Sequence, residues 1–287
     1  MKKAKIIVLA GQSNAVGVGQ VRFLKNHFTE ERIQKWYDGY PNVQMNYFSH
    51  DKKSGGFVDT TVGCTEVAHY SGVTMGPELG IAEVLTERYP GETIYIVKCA
   101  FGGMSLYKDW RSPSCGAPYD PEAYADQKEN IISNYDIGAP IRAGWCYNEL
   151  VRIMKDSIRI LEEAGLQPCI KGFCWMQGES DADTLEHVNQ YAYLYHCLLK
   201  DFNETFAPYL EDCVYVDGGI SVEWNYYEAM NAVKRGYNET HENCYFIDTL
   251  GEGFTTRNEP PQEPDIWHYD TDCVIKLGHR FAQHIDL

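Results

Sequence analysis

The sequence lacks the features that mark a metal-ribbon protein, a membrane protein or a nucleic-acid binder. Its ten cysteines include no Cys-x-x-Cys pair, so nothing supports a zinc ribbon or a thioredoxin-like redox centre. No stretch approaches the ~18 apolar residues that a membrane-spanning helix needs. The net charge is −16, and such an excess of acid repels phosphate backbones. We therefore expect neither a membrane nor a nucleic acid as a partner.

The composition is that of an ordinary water-soluble globular protein. The chain has 287 residues, of which 44% are hydrophobic and 23% charged, and it contains no internal repeat or low-complexity linker. We predict a single domain over 1–287. The scattered thiols favour a reducing compartment, and the sequence as it stands predicts a cytoplasmic protein. The basic start and the apolar run 6–10 weakly resemble a signal peptide, but the run is short; secretion would require a leader removed from ahead of this sequence.

Strand-like and helix-like segments alternate along the chain. The apolar run 6–9 does not alternate with polar residues, which predicts a strand covered on both faces, as in a parallel sheet. The predicted strands are Lys5–Ala10, Val43–Phe48, Thr93–Ala100, Ile170–Met176, Cys213–Asp217 and Cys244–Asp248. The predicted helices are Pro77–Arg88, Ala143–Ala164, Glu186–Phe206, Tyr226–Thr240 and Thr271–Ile285. This alternation predicts a flavodoxin-like three-layer α/β/α sandwich with a central parallel sheet.

Two segments, 49–75 and 104–142, interrupt this pattern. Both are rich in Gly, Pro, Ser, Asp and Tyr and show little periodicity. Long irregular insertions in a compact domain commonly form lids or binding loops. We expect both to leave the carboxyl ends of strands, where ligands bind in sheets of this kind.

The tetrapeptide Gly11-Gln12-Ser13-Asn14 follows the first predicted strand directly. A serine at this junction lies where backbone N–H groups and a helix dipole favour developing negative charge. The same position also suits a serine that only caps a helix, and position alone does not separate the two readings. The absence of a Gly-Lys-Ser/Thr sequence makes a phosphate-binding loop a weak alternative.

A base for that serine is available near the C-terminus, in Asp265-Ile266-Trp267-His268. A serine hydroxyl becomes a good nucleophile when a histidine takes its proton, and a carboxylate normally holds that histidine in one tautomer. An aspartate three residues before a histidine reaches its Nδ1 when the segment forms a turn. An Asp-x-x-His pattern is common by chance, so it indicates a catalytic pair only in combination with the other sequence blocks.

Two further blocks follow predicted strands: Phe101-Gly102-Gly103-Met104 and Trp175-Met176-Gln177-Gly178-Glu179. A glycine N–H can approach a substrate oxygen closely, and an amide side chain can donate a second hydrogen bond. The N–H groups of Ser13 and Gly103, together with the side chain of Gln177, would form an oxyanion hole, in which one donor is worth ~3–4 kcal/mol. Taken alone, the glycines are better explained by a tight turn, and Gln177 and Glu179 by capping of a helix N-terminus.

Taken together, the four blocks resemble the SGNH/GDSL hydrolase superfamily. They are most similar to its sialate O-acetylesterase and acetylxylan esterase group, the sixth family of carbohydrate esterases. The matching residues are Gly11–Asn14, Gly102-Gly103, Trp175–Glu179 with Gln177 where the wider superfamily has Asn, and Asp265 with His268. The run Met75–Leu79 also resembles an element of that group. Met104 and Ser105 depart from the family pattern, as does the long 104–142 insertion.

The resemblance implies the SGNH fold and a serine esterase that deacetylates carbohydrate through an acetyl-enzyme, without a metal or organic cofactor. His268 would deprotonate Ser13, and Asp265 would orient His268. Residues beside these groups would support the site or contact the substrate: Gln12, Asn14, Gly102, Glu179 and Trp110. Trp110 is the best candidate for stacking on a sugar ring. Glu179 could orient a neighbour or serve as an alternative carboxylate for a histidine.

Three other functions stay open. A lipase- or thioesterase-like member of the same superfamily would prefer longer acyl chains. A nucleotide- or flavin-binding module on a flavodoxin-like sheet lacks support, because there is no phosphate-loop lysine. A non-catalytic carbohydrate-binding protein would have no reason to keep Ser13, Asp265 and His268 together.

Overall fold

A sheet of eight strands lies at the centre of the protein, whose computed structural model describes residues 2–65, 72–115 and 143–287. The strands of the described residues are β1 Lys3–Gly11, β2 Gly19–Gln20, β3 Tyr40–Ser49, β4 Lys52–Lys53, β5 Val58–Thr60, β6 Thr74–Met75, β7 Ile94–Ala100, β8 Gln167–Met176, β9 Leu210–Gly218 and β10 Cys244–Ile247. The main sheet has the order β10-β9-β8-β1-β7-β3-β4, with β5 also paired to β3, while β2 and β6 pair separately. All six predicted strands are confirmed, and these six run parallel.

Helices connect the strands, and all five predicted helices are present with ends that differ by no more than two residues. The helices of the described residues are α1 Ser13–Val16, α2 Leu24–His27, α3 Glu30–Asp38, α4 Glu78–Arg88, α5 Trp145–Glu163, α6 Leu185–Phe206, α7 Tyr227–Thr240 and α8 Thr271–Gln283. Helices α2 and α3 are not among the predicted helices. In α3 Trp36 is buried and Ile33 is half-buried against the core, so the apolar face that would have revealed this helix spans only one turn.

The helices cover both faces of the sheet, as neighbouring residues of one strand show. On β8, a side chain at Gly172 would meet Ile285, just beyond α8, whereas Phe173 packs against Phe202 of α6. Because successive residues of a strand point to opposite faces, α8 and α6 lie on opposite sides. The expected α/β sandwich around a mostly parallel sheet is confirmed.

The central strands end at the same level. Gly11 at the end of β1 is in register with Ala100 at the end of β7 and with Met176 at the end of β8. The three sequence blocks that follow these strands therefore emerge side by side at one edge of the sheet. This arrangement places the turn from β1 into α1, which carries Ser13, between the glycine block and the Gln177 block.

In segment 49–75 the described residues, 49–65 and 72–75, are less irregular than predicted, because they form β4, β5 and β6; β4 and β5 add antiparallel pairs to β3. Of segment 104–142, residues 116–142 lie outside the described part. Across the described ranges, no helix combines the length and apolarity needed to cross a bilayer. The ten cysteines all fall in these ranges and are all free thiols.

Candidate active site

Ser13 begins helix α1 at the point where β1 ends. Gly11 has φ +141°, and a Cβ at this position would lie 1.9 Å from the carbonyl oxygen of Met176, so only glycine allows this turn. The Gln12 N–H donates to that carbonyl at 2.8 Å. Ser13 is half-buried, whereas Gln12 and Asn14 on either side of it are 1% exposed. The turn thus presents the serine and buries its neighbours.

Asp265 and His268 form the predicted pair. The His268 Nδ1 lies 2.7 Å from the Asp265 Oδ2, and the side chains are 15% and 21% exposed. The turn is closed by the His268 N–H, which donates to the Asp265 carbonyl at 3.2 Å. A carboxylate can only accept here, so Nδ1 carries the proton and Nε2 is the nitrogen with basic character.

Asn14 connects the histidine segment to the serine turn. Its Oδ1 accepts the backbone N–H of Tyr269 at 3.0 Å, and Tyr269 directly follows His268. Its Nδ2 donates to Oε1 of Glu179 at 2.8 Å. Tyr269 is itself held through its hydroxyl, which donates to the Gly219 carbonyl at 2.8 Å. The residue after the serine thus fixes the residue after the histidine.

Glu179 is fully buried beneath this connection. Burial raises the pKa of its carboxyl group, while the hydrogen bond from Asn14 and the nearby charge of Lys234 oppose the rise. Lys234 in turn lies 2.9 Å from Oδ1 of Asp217, and both side chains are fully buried. Burial of Asp217 is the main cause that raises its pKa to about 6. Glu179 therefore acts on the site through Asn14.

Gly103 lies open at the edge of the sheet. It is exposed, its φ is +71°, and no atom would lie within 4 Å of a Cβ placed there. Gly102 beside it is half-buried. The loop that follows is held by Asp181, whose Oδ2 and Oδ1 accept the N–H groups of Leu106 at 2.7 Å and Tyr107 at 2.8 Å. A substrate oxygen can therefore reach Gly103 on a loop of fixed shape.

Gln177 does not occupy the predicted role. Its side chain is fully buried, and its Nε2 donates to Asp181 Oδ2 at 2.6 Å, the Met104 carbonyl at 3.1 Å and Gln12 Oε1 at 3.3 Å. The two hydrogens of this amide are thus fully used by internal acceptors. The prediction that Gln177 stabilises an oxyanion is corrected by these contacts: Gln177 joins the three loops at the edge of the sheet.

Trp110 is also placed differently from its prediction. Its ring is fully buried and packs edge-on against Trp175, with ring centroids 5.0 Å apart. A buried indole offers no face to a sugar, so the predicted platform at Trp110 is wrong. An exposed tryptophan does lie beside the site: Trp267, directly before His268, is 46% exposed. The sequence signal was its position inside the Asp265–His268 turn.

A buried ion pair that was not predicted from the sequence lies beneath α1. Lys98 Nζ lies 2.7 Å from Glu78 Oε2, with the side chains 0% and 1% exposed. The same ammonium group donates to the Val16 carbonyl at 2.6 Å and to Thr65 Oγ1 at 3.1 Å. It therefore ties the end of the serine-bearing helix to β7. A lysine inside the apolar run 93–100 was the available signal.

The described residues contain no group of three or more His, Cys, Asp or Glu side chains arranged to hold a metal ion. At this edge of the sheet, Oε1 of Glu179 accepts from Asn14, Asp181 accepts from backbone N–H groups, and Asp217 is paired with Lys234.

Comparison with known proteins identifies the class and then the family. The fold is that of SGNH-type esterases, and the chain is a carboxylic ester hydrolase. Over residues 3–286 it matches the SASA family model, described as carbohydrate esterase, sialic acid-specific acetylesterase, and the chain belongs to that family. The resemblance inferred from the four blocks is thereby confirmed. No curated protein matches the chain in sequence.

Solved structures of similar proteins agree on the fold. NanS shares 19% identity and a TM-score of 0.65, with 98% of this chain and 96% of that chain covered. A protein of Arabidopsis thaliana shares 17% identity and a TM-score of 0.64, with 98% and 97% covered. A carbohydrate acetylesterase from Xanthomonas citri shares 14% identity and a TM-score of 0.56, with 98% and 55% covered. At these identities the likeness establishes the fold alone.

Proposed function

We propose that the protein removes O-acetyl groups from carbohydrate through an acetyl-enzyme formed on Ser13. The observation that carries this proposal is the Asp265–His268 pair, tied to the Ser13 turn by the Asn14–Tyr269 hydrogen bond. The family is that of sialic acid-specific acetylesterases, and Xanthomonas citri has a carbohydrate acetylesterase of the same fold. O-acetylated sialic acid is therefore the first substrate to test, and acetylated xylan the second.

The reaction follows from the roles that each group can fill. His268 Nε2 takes the proton of the Ser13 hydroxyl as its oxygen attacks the ester carbonyl, and Asp265 stabilises the imidazolium that forms. The N–H groups of Ser13 and Gly103 receive the oxyanion: Ser13 is at the first position of α1, where an N–H has no acceptor within the helix, and Gly103 is exposed on the neighbouring loop. His268 then gives the proton to the leaving sugar oxygen. Water, deprotonated by the same histidine, releases acetate and restores Ser13.

Acetate release from O-acetylated sialic acid and acetylated xylan tests the proposal, with the wild type beside Ser13→Ala, His268→Ala and Asp265→Ala. We expect the Ser13 and His268 variants to lose at least ~10³-fold in kcat, as removal of a nucleophile or base does in serine hydrolases. Full activity of His268→Ala and Asp265→Ala would refute the assignment of the base.

The length of the acyl chain separates this proposal from a lipase- or thioesterase-like activity. The 4-nitrophenyl esters of acetate, butyrate and octanoate serve as the series. A carbohydrate acetylesterase should cleave the acetate fastest. Faster cleavage of the octanoate would identify a long-chain acyl substrate, and a wild type as inactive as Ser13→Ala on every ester would favour a carbohydrate-binding protein.

A further inference from the structure

We infer that Trp267 and Trp224 form a stacking subsite for the pyranose ring of the acetylated sugar; this inference rests on the proposed function. Trp267 directly precedes His268, so the two Cα atoms are about 3.8 Å apart. Its indole is 46% exposed although it is among the largest apolar side chains. An exposed tryptophan next to the catalytic base is placed to contact whatever bears the ester.

The exposed indole rests on a rigid partner. The ring centroids of Trp267 and Trp224 are 4.9 Å apart, with the planes at 52°, and Trp224 is packed against the hydrophobic core. The Trp267 N–H donates to Asp265 Oδ1 at 3.3 Å, which fixes its backbone to the Asp–His turn. A preorganised aromatic surface loses little entropy when it binds a ring.

The loop that carries Trp224 is tied to the site from two directions. The Tyr226 N–H donates to the Ala182 carbonyl at 2.9 Å, one residue after the Asp181 that holds the glycine loop. Glu223 accepts from Arg257 Nε at 2.6 Å, which joins this loop to the segment that leads to Asp265. Val222 and Tyr226 are 44% and 40% exposed. The loop after β9 therefore forms a rim that exposes an aliphatic and an aromatic side chain on either side of Trp224, together with the Glu223–Arg257 ion pair.

The chemistry of this rim fits a sugar ring better than a lipid chain. One face of a pyranose carries C–H groups that pack on an indole, while its hydroxyl groups stay in water. The surface at Trp267 is open and half-exposed, which leaves those hydroxyl groups hydrated. A long acyl chain would instead require an enclosed apolar channel to leave water. The subsite therefore selects for the alcohol part of the ester.

Binding of O-acetylated sialic acid and of acetylated xylotriose to the Ser13→Ala protein, measured by titration calorimetry, tests the inference without turnover. In the Ser13→Ala background, the additional Trp267→Ala substitution should raise the Kd for the sugar about tenfold, which corresponds to about 1.4 kcal/mol of binding free energy. Trp267→Phe, which keeps a ring, should recover part of the affinity. Tyr37→Ala is the matched control, because Tyr37 is 51% exposed and lies on α3, outside the site.

Kinetics with otherwise wild-type protein separate a subsite from a supporting role. Trp267→Ala should raise KM about tenfold for the acetylated sugar and change kcat/KM for ethyl acetate less than ~2-fold. Equal losses on both esters would overturn the inference, since Trp267 would then only support His268. Unchanged sugar affinity would overturn it as well. A wild type that cleaves ethyl acetate but no acetylated sugar would refute the proposed function, an outcome visible without any Trp267 variant.

Discussion

Replacing Lys98 by methionine should destabilise the protein severely, because it leaves the buried carboxylate of Glu78 without its counter-charge. Lys98 Nζ is bonded to Glu78 Oε2, the Val16 carbonyl and Thr65 Oγ1, and neither member of the ion pair is more than 1% exposed. Methionine fills a similar volume, so the main change is the loss of charge and donors. Breaking a buried pair from one side costs about 3–5 kcal/mol. We expect the free energy of unfolding to fall by that amount.

A double-mutant cycle measured by urea unfolding isolates the pair. The variants are Lys98→Met, Glu78→Gln and both together, with Lys3→Met as the matched control, because Lys3 and its partner Glu211 are 46% and 41% exposed. The control should change stability by less than ~0.5 kcal/mol. The double variant should lose about 2 kcal/mol less than the sum of the singles, since it leaves no unpaired charge.

Activity adds a second readout to this cycle. Lys98 holds the last carbonyl of α1, so its loss should loosen the turn that bears Ser13, and kcat should fall under conditions where the variant is still folded. If Lys98→Met lowers the free energy of unfolding by less than ~1 kcal/mol, or if the effects in the double variant are strictly additive, the reasoning is refuted. A buried carboxylate that has lost its cation should destabilise the folded state by more than that.

Three further predictions test other contacts. Glu179→Ala should lower kcat by ~10²-fold with KM little changed, because Asn14 loses its anchor and displaces His268; a lower affinity with unchanged kcat would contradict this role. Asp181→Ala should lower the free energy of unfolding in urea by at least ~2 kcal/mol, since it leaves buried N–H groups of the glycine loop without an acceptor. A variant as stable as the wild type would contradict this prediction. Burial raises the pKa of Asp109 from 3.8 to about 6, which corresponds to about 3 kcal/mol of stability that is present below pH 4 and lost as pH rises to about 6. Asparagine does not titrate, so Asp109→Asn should not lose this stability as the pH rises. The free energy of unfolding of the variant minus that of the wild type, measured from pH 4 to pH 8, should therefore increase with pH. A difference that stays constant would refute the raised pKa of Asp109.

The sheet could be predicted because its strands are buried on both faces. Runs such as 6–9 in β1 are apolar without alternation, a pattern that follows from cover by helices on each side. Helix α3 escaped prediction because its apolar face is short: Trp36 is buried and Ile33, one turn earlier, is half-buried against the core. Its N-terminus did carry a local signal: Thr29 caps the helix by accepting the Arg32 N–H at 3.4 Å, and two glutamates follow it.

The location of the site could also be predicted, since blocks that follow parallel strands must meet at one edge. The direction of each side chain could not. Gln177 turns inward because Asp181 and the Met104 carbonyl accept its amide. Trp110 is buried because Trp175 of β8 lies against it. Both contacts depend on how the blocks pack against one another, and residue type and spacing contain no record of that packing.

The sequence left open which carboxylate serves the histidine, and the geometry separates the two candidates by what each one already binds. Asp265 Oδ2 accepts from His268 Nδ1 at 2.7 Å. Glu179 Oε1 accepts instead from Asn14, whose own Oδ1 holds the Tyr269 N–H. Because an amide can donate and accept at once, Asn14 links the buried Glu179 carboxyl group to the backbone N–H of Tyr269, directly after His268. Glu179 therefore acts on the segment that carries His268 through two hydrogen bonds, and Asp265 is the carboxylate that is bonded to the imidazole ring.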